Sequence, residues 1–314
     1  MARQSTTYSF FTKYAYLLKI DIFLFFIGLS YYIMESENLV FTRYLYIEKE
    51  VKHSLLLSIL NKDIQQSLFW AFELYYSYLS QEMLIIEYLL DIYKTLYEKN
   101  HPALRNLFTS YVTSWEKDNN PVHFANIVCT LCTRSYDLEL FCNTYFEVEG
   151  DQQTIKSTNF IVNVPEKELN MYNQSNETVL PRNVLKQNCK YKVNTTCNSV
   201  FDLKLPNEET IKNAYYYNWI YYASRLPLWE DRILKCNGVI DETHEKVVFN
   251  NDEDLEMFYQ KYGYEPDEQS VELQSKFMGF SLSKEQLSLD NFCDKFHFTL
   301  KIIKNVNNIT YTVK

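Results

Sequence analysis

The chain has 314 residues and a formal net charge of −9, and hydrophobic residues make up 46% of it. A chain of this length and composition can bury one large core or two ordinary ones, and general disorder is excluded. Its five glycines stand far apart. Glycine-rich phosphate loops need clustered glycines, because only these let backbone N–H groups approach the phosphates closely. The sequence therefore argues against a P-loop ATPase and against a dinucleotide-binding Rossmann enzyme.

The first 33 residues form a hydrophobic N-terminal extension that differs from the rest of the chain. Its uncharged run, Ile22–Met34, has 13 residues. That is shorter than the ~20 residues that span a bilayer, and no small-residue cleavage site comes after it. Three interpretations stay open: a membrane anchor through residues 14–34, a buried first helix, or an upstream segment that is not native. Met34 opens a stretch that is typical of a soluble start, which favours the third.

Residues 34–146 predict an array of short antiparallel helices. Apolar residues recur at helical spacing, and connections of about two to six residues make successive helices antiparallel neighbours. Asp63 and Ser80 are predicted helix caps, and Pro102 and Pro121 are predicted in first turns. The expected helices cover about Glu48–Leu60, Ile64–Leu79, Met83–Tyr97 and Leu104–Trp115, with a fifth from Pro121 and a sixth from about Ser135.

The segment Ile64–Leu79 has the most regular apolar spacing and is predicted to be the central helix. Its aromatic residues Trp70, Tyr75 and Tyr76 could stack on nucleic-acid bases. At helical spacing they are better interpreted as core and helix-interface residues.

The rest of the chain predicts less regular structure. Residues 147–206 are expected to be an irregular connection with one short strand, Asn159–Val164. Residues 207–314 are expected to form a smaller α+β region. Its expected elements are a helix from Asn207 to about Ser224, a hairpin over Val239–Phe249, a helix over Leu255–Tyr262 and a β-leaning tail over Phe296–Val313. The predicted fold class is mainly α, with an antiparallel multi-helix array followed by this α+β region.

Charge is distributed unevenly along the chain. From Asp241 to Glu272 there are eleven acidic residues against two lysines, so this stretch alone carries −9. A solvated surface is the simplest interpretation, and a docking surface for a basic partner is the alternative. No segment has the basic footprint of a protein that grips nucleic acid. The array has only a mildly basic rim, which suggests contact with an acidic partner: Lys52, His53, Lys62, Lys94, Lys99, His101 and Arg105.

Seven scattered cysteines indicate reduced thiols in a reducing compartment. Cys129 and Cys132 form a C-x-x-C pair, and His123 and Cys142 are the nearest further candidates for the four ligands that zinc needs. Buried structural thiols are the preferred interpretation, because the pair lies late in an apolar helix, far from the N-terminus that would lower a thiol pKa. The five histidines form no recognisable catalytic arrangement, so no catalytic residue, cofactor or metal is predicted.

The order Lys52, Ser54, Ile59 and Asp63, followed by the run Ser67–Leu74, resembles a known domain. It is similar to the C-terminal helical domain of replication-associated AAA+ ATPases, the clamp-loader relatives called MgsA or RarA. The likeness covers residues 50–140. Since the chain lacks the family's Walker loop, the resemblance implies at most the oligomerising or scaffold role.

A second resemblance is to proteins of giant viruses, the nucleocytoplasmic large DNA viruses. The phrases ENLVFTRYLYIEKEVKHSLLLSILNKD, SLFWAFELYYS and KYGYEPDEQS carry it. It implies a viral protein of the host cytoplasm, in the viral factory or the virion.

These observations together predict a non-enzymatic interaction or scaffold protein that acts at replication or virion assembly. Its expected partner is another protein or a second copy of the chain. The alternatives are a nucleic-acid-associated replication accessory protein without its own ATPase domain, and a membrane-tethered viral protein.

Overall fold

A computed structural model of the chain describes residues 39–158, 162–172, 179–279 and 286–301. The described residues from Leu39 to Asp202 and from Pro206 onward belong to one compact unit. It is mainly helical with two small antiparallel sheets, which confirms the predicted fold class. The N-terminal extension, residues 159–161 of the expected strand and residues 302–313 of the expected tail lie outside the described residues.

The array contains six helices: α1 (Glu48–Leu60), α2 (Ile64–Ser77), α3 (Met83–Leu96), α4 (Leu104–Asp118), α5 (Pro121–Thr133) and α6 (Glu139–Phe146). The connection contains β1 (Gly150–Gln152), α7 (Glu166–Leu169) and α8 (Pro181–Asn188). The C-terminal region contains α9 (Glu208–Tyr217), α10 (Trp219–Ala223), α11 (Pro227–Lys235), β2 (Gly238–Asp241), β3 (Lys246–Phe249), α12 (Asp252–Tyr262), α13 (Val271–Phe277), α14 (Leu289–Lys295) and β4 (Phe298–Leu300).

Helix α2 lies at the centre of the array. The Asp63 carboxylate accepts a hydrogen bond from the Gln66 backbone N–H at 3.0 Å, which confirms the predicted cap. Every residue from Ser67 to Tyr75 is buried, and α2 packs against α1, α5 and α11. A helix that is buried around its whole circumference belongs in the core. Trp70 is 1% exposed, so its assignment to packing is confirmed.

Three predicted helix starts differ from the structure. Ser80 has a positive φ of 64° and lies in the turn before α3, which begins without a side-chain cap. Pro102 precedes α4 rather than opening it, because the Leu104 N–H closes a tight turn onto the His101 carbonyl at 3.1 Å. Helix α6 begins at Glu139, not near Ser135, since the Asp137 N–H bonds to the end of α3 at the Leu96 carbonyl, 2.7 Å away.

The connection is anchored on the array. Cys189, Val193 and Cys197 are buried, and the Ser54 hydroxyl on α1 accepts the Asn194 backbone N–H at 2.8 Å. The expected strand Asn159–Val164 is wrong over its described residues 162–164, which have no regular structure. There the Val164 N–H donates to the Asn126 side chain at 2.8 Å instead of to a neighbouring strand.

A buried loop, residues 39–47, joins the array to the C-terminal region. The Trp229 indole N–H donates to the Thr42 carbonyl at 3.1 Å, and the Phe41 N–H donates to the Tyr222 carbonyl at 3.2 Å. The rings of Phe41 and Tyr215 stack with centroids 4.2 Å apart. The two regions therefore share one core.

The C-terminal region keeps the expected hairpin, with Val239 opposite Val248. The expected helix from Asn207 to Ser224 is broken at Asn218, where φ is −146°. Strand β4 forms from the expected tail and pairs with β1, which precedes it by about 150 residues (Gly150 opposite Leu300).

Candidate functional sites

The structure does not bring the four cysteine and histidine candidates into one site. Cys129 and Cys132 lie on α5, each 1% exposed, and burial raises the pKa of both thiols to about 12. Cys142 on α6 faces Cys293 on α14, and their hydrogen bond raises the pKa of Cys142 and lowers that of Cys293. His123 lies in the first turn of α5, 3.1 Å from the Asp118 carboxylate. Within the described residues, no group of three or more His, Cys, Asp or Glu side chains could hold a metal ion.

Two titratable groups on α1, the buried Glu50 and the half-buried His53, face the connection. Burial raises the pKa of Glu50 to about 7 and lowers the pKa of His53 to about 4. The Glu50 carboxylate receives one long hydrogen bond from Asn198, at 3.4 Å, and its Oε2 atom has no partner. Gly279 lies so close that a Cβ there would be 2.3 Å from Oε2. Glu50 is therefore a buried carboxyl packed against Gly279.

The array also buries an ion pair that the sequence did not predict. The Arg43 Nε donates to the Glu73 carboxylate at 2.9 Å, with the two side chains 8% and 0% exposed. The second carboxylate oxygen accepts the Tyr44 backbone N–H at 2.9 Å, and Arg43 also donates to the Tyr172 carbonyl at 3.0 Å. Because its members are paired and enclosed, this network holds the buried loop on α2.

Most of the basic rim is neutralised by carboxylates. Lys52 pairs with Glu48, and Lys94 lies 3.5 Å from Asp91. Lys99 pairs with Asp137 and Glu139, and Arg105 with Glu98. His53 is half-buried, and its ring forms a hydrogen bond with the Lys49 carbonyl. Lys62 and His101, like His53, lie outside these ion pairs.

The acidic stretch behaves in the opposite way. Among the described residues, none of the eleven carboxylates from Asp241 to Glu272 forms an ion pair with a lysine or arginine. The contact of Asp241 with His244, at 2.7 Å, lies within the hairpin turn. This region therefore presents carboxylates that form no ion pair with a described lysine or arginine; Arg182 acts on Glu265 only through its charge.

Exposed apolar side chains accompany part of this charge. Tyr217 and Val271 are each 83% exposed, the highest values among the described large apolar residues. The Gln274 side chain connects the chain segments next to these two residues. It accepts a hydrogen bond from the Tyr216 hydroxyl at 3.1 Å and donates one to the Asp267 carbonyl at 3.1 Å. We define the C-terminal surface as Tyr217, Asp267, Glu268, Val271 and Glu272. The sequence predicted its charge, whereas its apolar members resemble ordinary helix residues and gave no signal.

No helix within the described residues is both long enough and apolar enough to cross a membrane. Comparisons of the chain with protein-family models, curated proteins and solved structures found no match.

Proposed function

We propose that the protein is a non-enzymatic interaction protein, in which the array is the scaffold and the C-terminal surface docks a cationic segment of a protein partner. The observation that carries the proposal is the combination of carboxylates without described lysine or arginine partners and the two highly exposed apolar side chains, Tyr217 and Val271. A lysine- or arginine-rich segment with apolar side chains complements both features. Following the resemblance to giant-virus proteins, we place this role at replication or virion assembly in the host cytoplasm.

Two features of the molecule support a binding role over catalysis. The thiols at positions 129 and 132 are buried with raised pKa values, so they are poor nucleophiles. The one carboxyl whose pKa reaches about 7, that of Glu50, is enclosed by Gly279 and Asn198. The acidic and apolar side chains of the C-terminal surface are, by contrast, exposed, so a macromolecule can contact them.

Affinity capture with the tagged protein from infected-cell extract tests the proposal. The wild type is compared with the double variant Y217S/V271S and with L84S, which alters an apolar residue that is 48% exposed on α3. We expect the wild type and L84S to recover the same partner through a basic segment, and Y217S/V271S to recover at least about tenfold less. Equal recovery by all three proteins, or ATPase, nuclease or transferase turnover by the purified protein, would contradict the proposal.

A further inference from the structure

Two of the rim residues that form no ion pair, Lys62 and His101, lie near each other in the fold. Lys62 follows α1, and His101 precedes α4. Arg134, at the C-terminal end of α5, is the third cation of this group, which no sequence pattern predicted. The three come from separate parts of the array, yet the charges of Arg134 and Lys62 both act on the His101 ring. We name Lys62, His101 and Arg134 the cationic cluster.

One strip of the connection lies across the cationic cluster. The Lys62 ammonium donates to the Lys156 carbonyl, and the Arg134 guanidinium donates to the Thr158 carbonyl. Two serine hydroxyls lie beside the cations. The His101 Nε2 atom is 3.0 Å from the Ser135 hydroxyl, and the Ser157 hydroxyl accepts the Ser135 N–H at 3.1 Å. The strip is exposed at Lys156, Ser157 and Thr158, so a small solute can reach this side of the array.

The carboxylates close to the cationic cluster in sequence, those of Asp63 and Asp137, are engaged elsewhere. The Asp63 carboxylate accepts from the Gln66 backbone N–H at 3.0 Å and from its side-chain amide at 2.8 Å. Asp137 is held by Lys99 at 2.9 Å and by the Glu139 N–H at 2.9 Å. Burial lowers the pKa of Lys62 and of Arg134, with no carboxylate raising either value. Two partly buried cations without a described carboxylate partner favour an anionic ligand.

The geometry points to a binding site for a small phosphate-type oxyanion, at which the cationic cluster supplies the positive charge and the Ser135 and Ser157 hydroxyls supply hydrogen bonds. A phosphate dianion matches this set, because it offers several acceptor oxygens to an arginine, a lysine and a protonated imidazole. A long polyanion fits less well, since the remainder of the molecule is acidic and repels it. The site is independent of the C-terminal surface.

Proton uptake by His101 is a consequence of this placement. In the free protein, burial lowers the pKa of His101, the hydrogen bond to the Ser135 carbonyl opposes this, and the charges of Arg134 and Lys62 lower the pKa further. A bound dianion offsets both charges, so it raises the pKa of the ring. For a given charge of the phosphate, affinity therefore increases as the pH falls through the pKa of His101.

Titration of the full-length protein with inorganic phosphate tests the site. Calorimetry measures the binding, and the NMR signal of the His101 ring reports its pKa. We expect saturable binding, an upward shift of the His101 pKa, and an affinity reduced roughly tenfold by K62Q and by H101Q. K94Q removes a lysine that already pairs with Asp91 and is the matched control, with unchanged affinity expected. Arg134 is only 5% exposed, so the variants at Lys62 and His101 carry the test.

Two further ligands distinguish the source of the phosphate. Glycerol phosphate represents a small phosphate monoester, and a single-stranded oligonucleotide represents a backbone. Binding of inorganic phosphate or glycerol phosphate that K62Q weakens and K94Q leaves unchanged supports the inference. The inference is overturned by absence of saturable phosphate binding, by equal losses in K62Q and K94Q, or by binding of the oligonucleotide alone.

Discussion

The array and the acidic stretch from Asp241 to Glu272 differ in how their charges are paired. In the array, Arg43 and Glu73 are buried together, and the surface cations Lys52, Lys94 and Lys99 each have a carboxylate partner. In the C-terminal region, the carboxylates from Asp241 to Glu272 have no lysine or arginine partner among the described residues. Buried pairs make removal of one partner costly, whereas exposed charges contribute little to stability. This difference underlies our proposal that the array acts as the scaffold and that the C-terminal surface binds the partner.

The sharpest test of this contrast is to remove one member of the buried pair. The substitution Glu73→Ala leaves the Arg43 charge enclosed without its partner, so we expect the free energy of unfolding to fall by about 3–5 kcal/mol. Urea denaturation measures this loss. The double variant R43M/E73L replaces both charges with apolar groups and should lose less than E73A. A loss below about 1 kcal/mol in E73A would show that the pair does not hold the array together.

A pH-dependent test uses Glu50, next to the connection. Burial raises its pKa from 4.5 to about 7, so the folded state favours the protonated carboxyl. Its contribution to stability is full below about pH 4.5 and is lost as the pH rises through 7. The isosteric Glu50→Gln variant avoids this loss. We expect it to match the wild type near pH 4.5 and to exceed it by up to about 3 kcal/mol at pH 8, as measured by denaturation at each pH. Parallel pH profiles for the two proteins would refute the assignment.

Two tryptophan substitutions test the junction between the array and the C-terminal region. Trp229 bonds to Thr42 across the junction, and Trp115 bonds to the Tyr75 hydroxyl within the array at 2.8 Å. We expect W229F and W115F each to lower the free energy of unfolding by about 1–3 kcal/mol, since each loses a buried hydrogen bond and some packing. Because the two regions share a core, both variants should shift one common thermal transition. Two separate transitions, each sensitive to one variant, would mean that the regions fold independently.

The smallest effect is expected at the C-terminal surface. The substitutions Glu268→Gln and Glu272→Gln remove exposed charges that form no ion pair with a described lysine or arginine, so the unfolding free energy should change by less than about 0.5 kcal/mol. The double variant E268Q/E272Q should nevertheless recover less of the partner in affinity capture than the wild type does. A large loss of stability would place these carboxylates in the scaffold instead.

Local patterns in the sequence predicted the local structure. The apolar spacing and the Asp63 cap located α2, and alternation located the hairpin with Val239 opposite Val248. Helices α8, α13 and α14 were missed because they are short and lie in polar stretches, where periodicity carries little information. Strands β1 and β4 pair across about 150 residues, and no local signal reports such a partner.

The candidate sites were predicted less completely than the fold. Composition identified the acidic stretch and the basic rim, but it could not show which charges are paired. Arg43 reaches Glu73 over 30 residues, and Arg134 joins Lys62 and His101 through tertiary packing. Both arrangements depend on the angles between helices, which side-chain periodicity does not determine.

The central claim is that partners bind the C-terminal region and not the array. Hydrogen–deuterium exchange of the captured complex, compared with the free protein, tests it most directly. We expect slower exchange in residues 216–217 and 265–274, and unchanged exchange in α4, whose outer face is exposed. Protection of α4 without protection of residues 265–274 would contradict the account and make the array the binding surface.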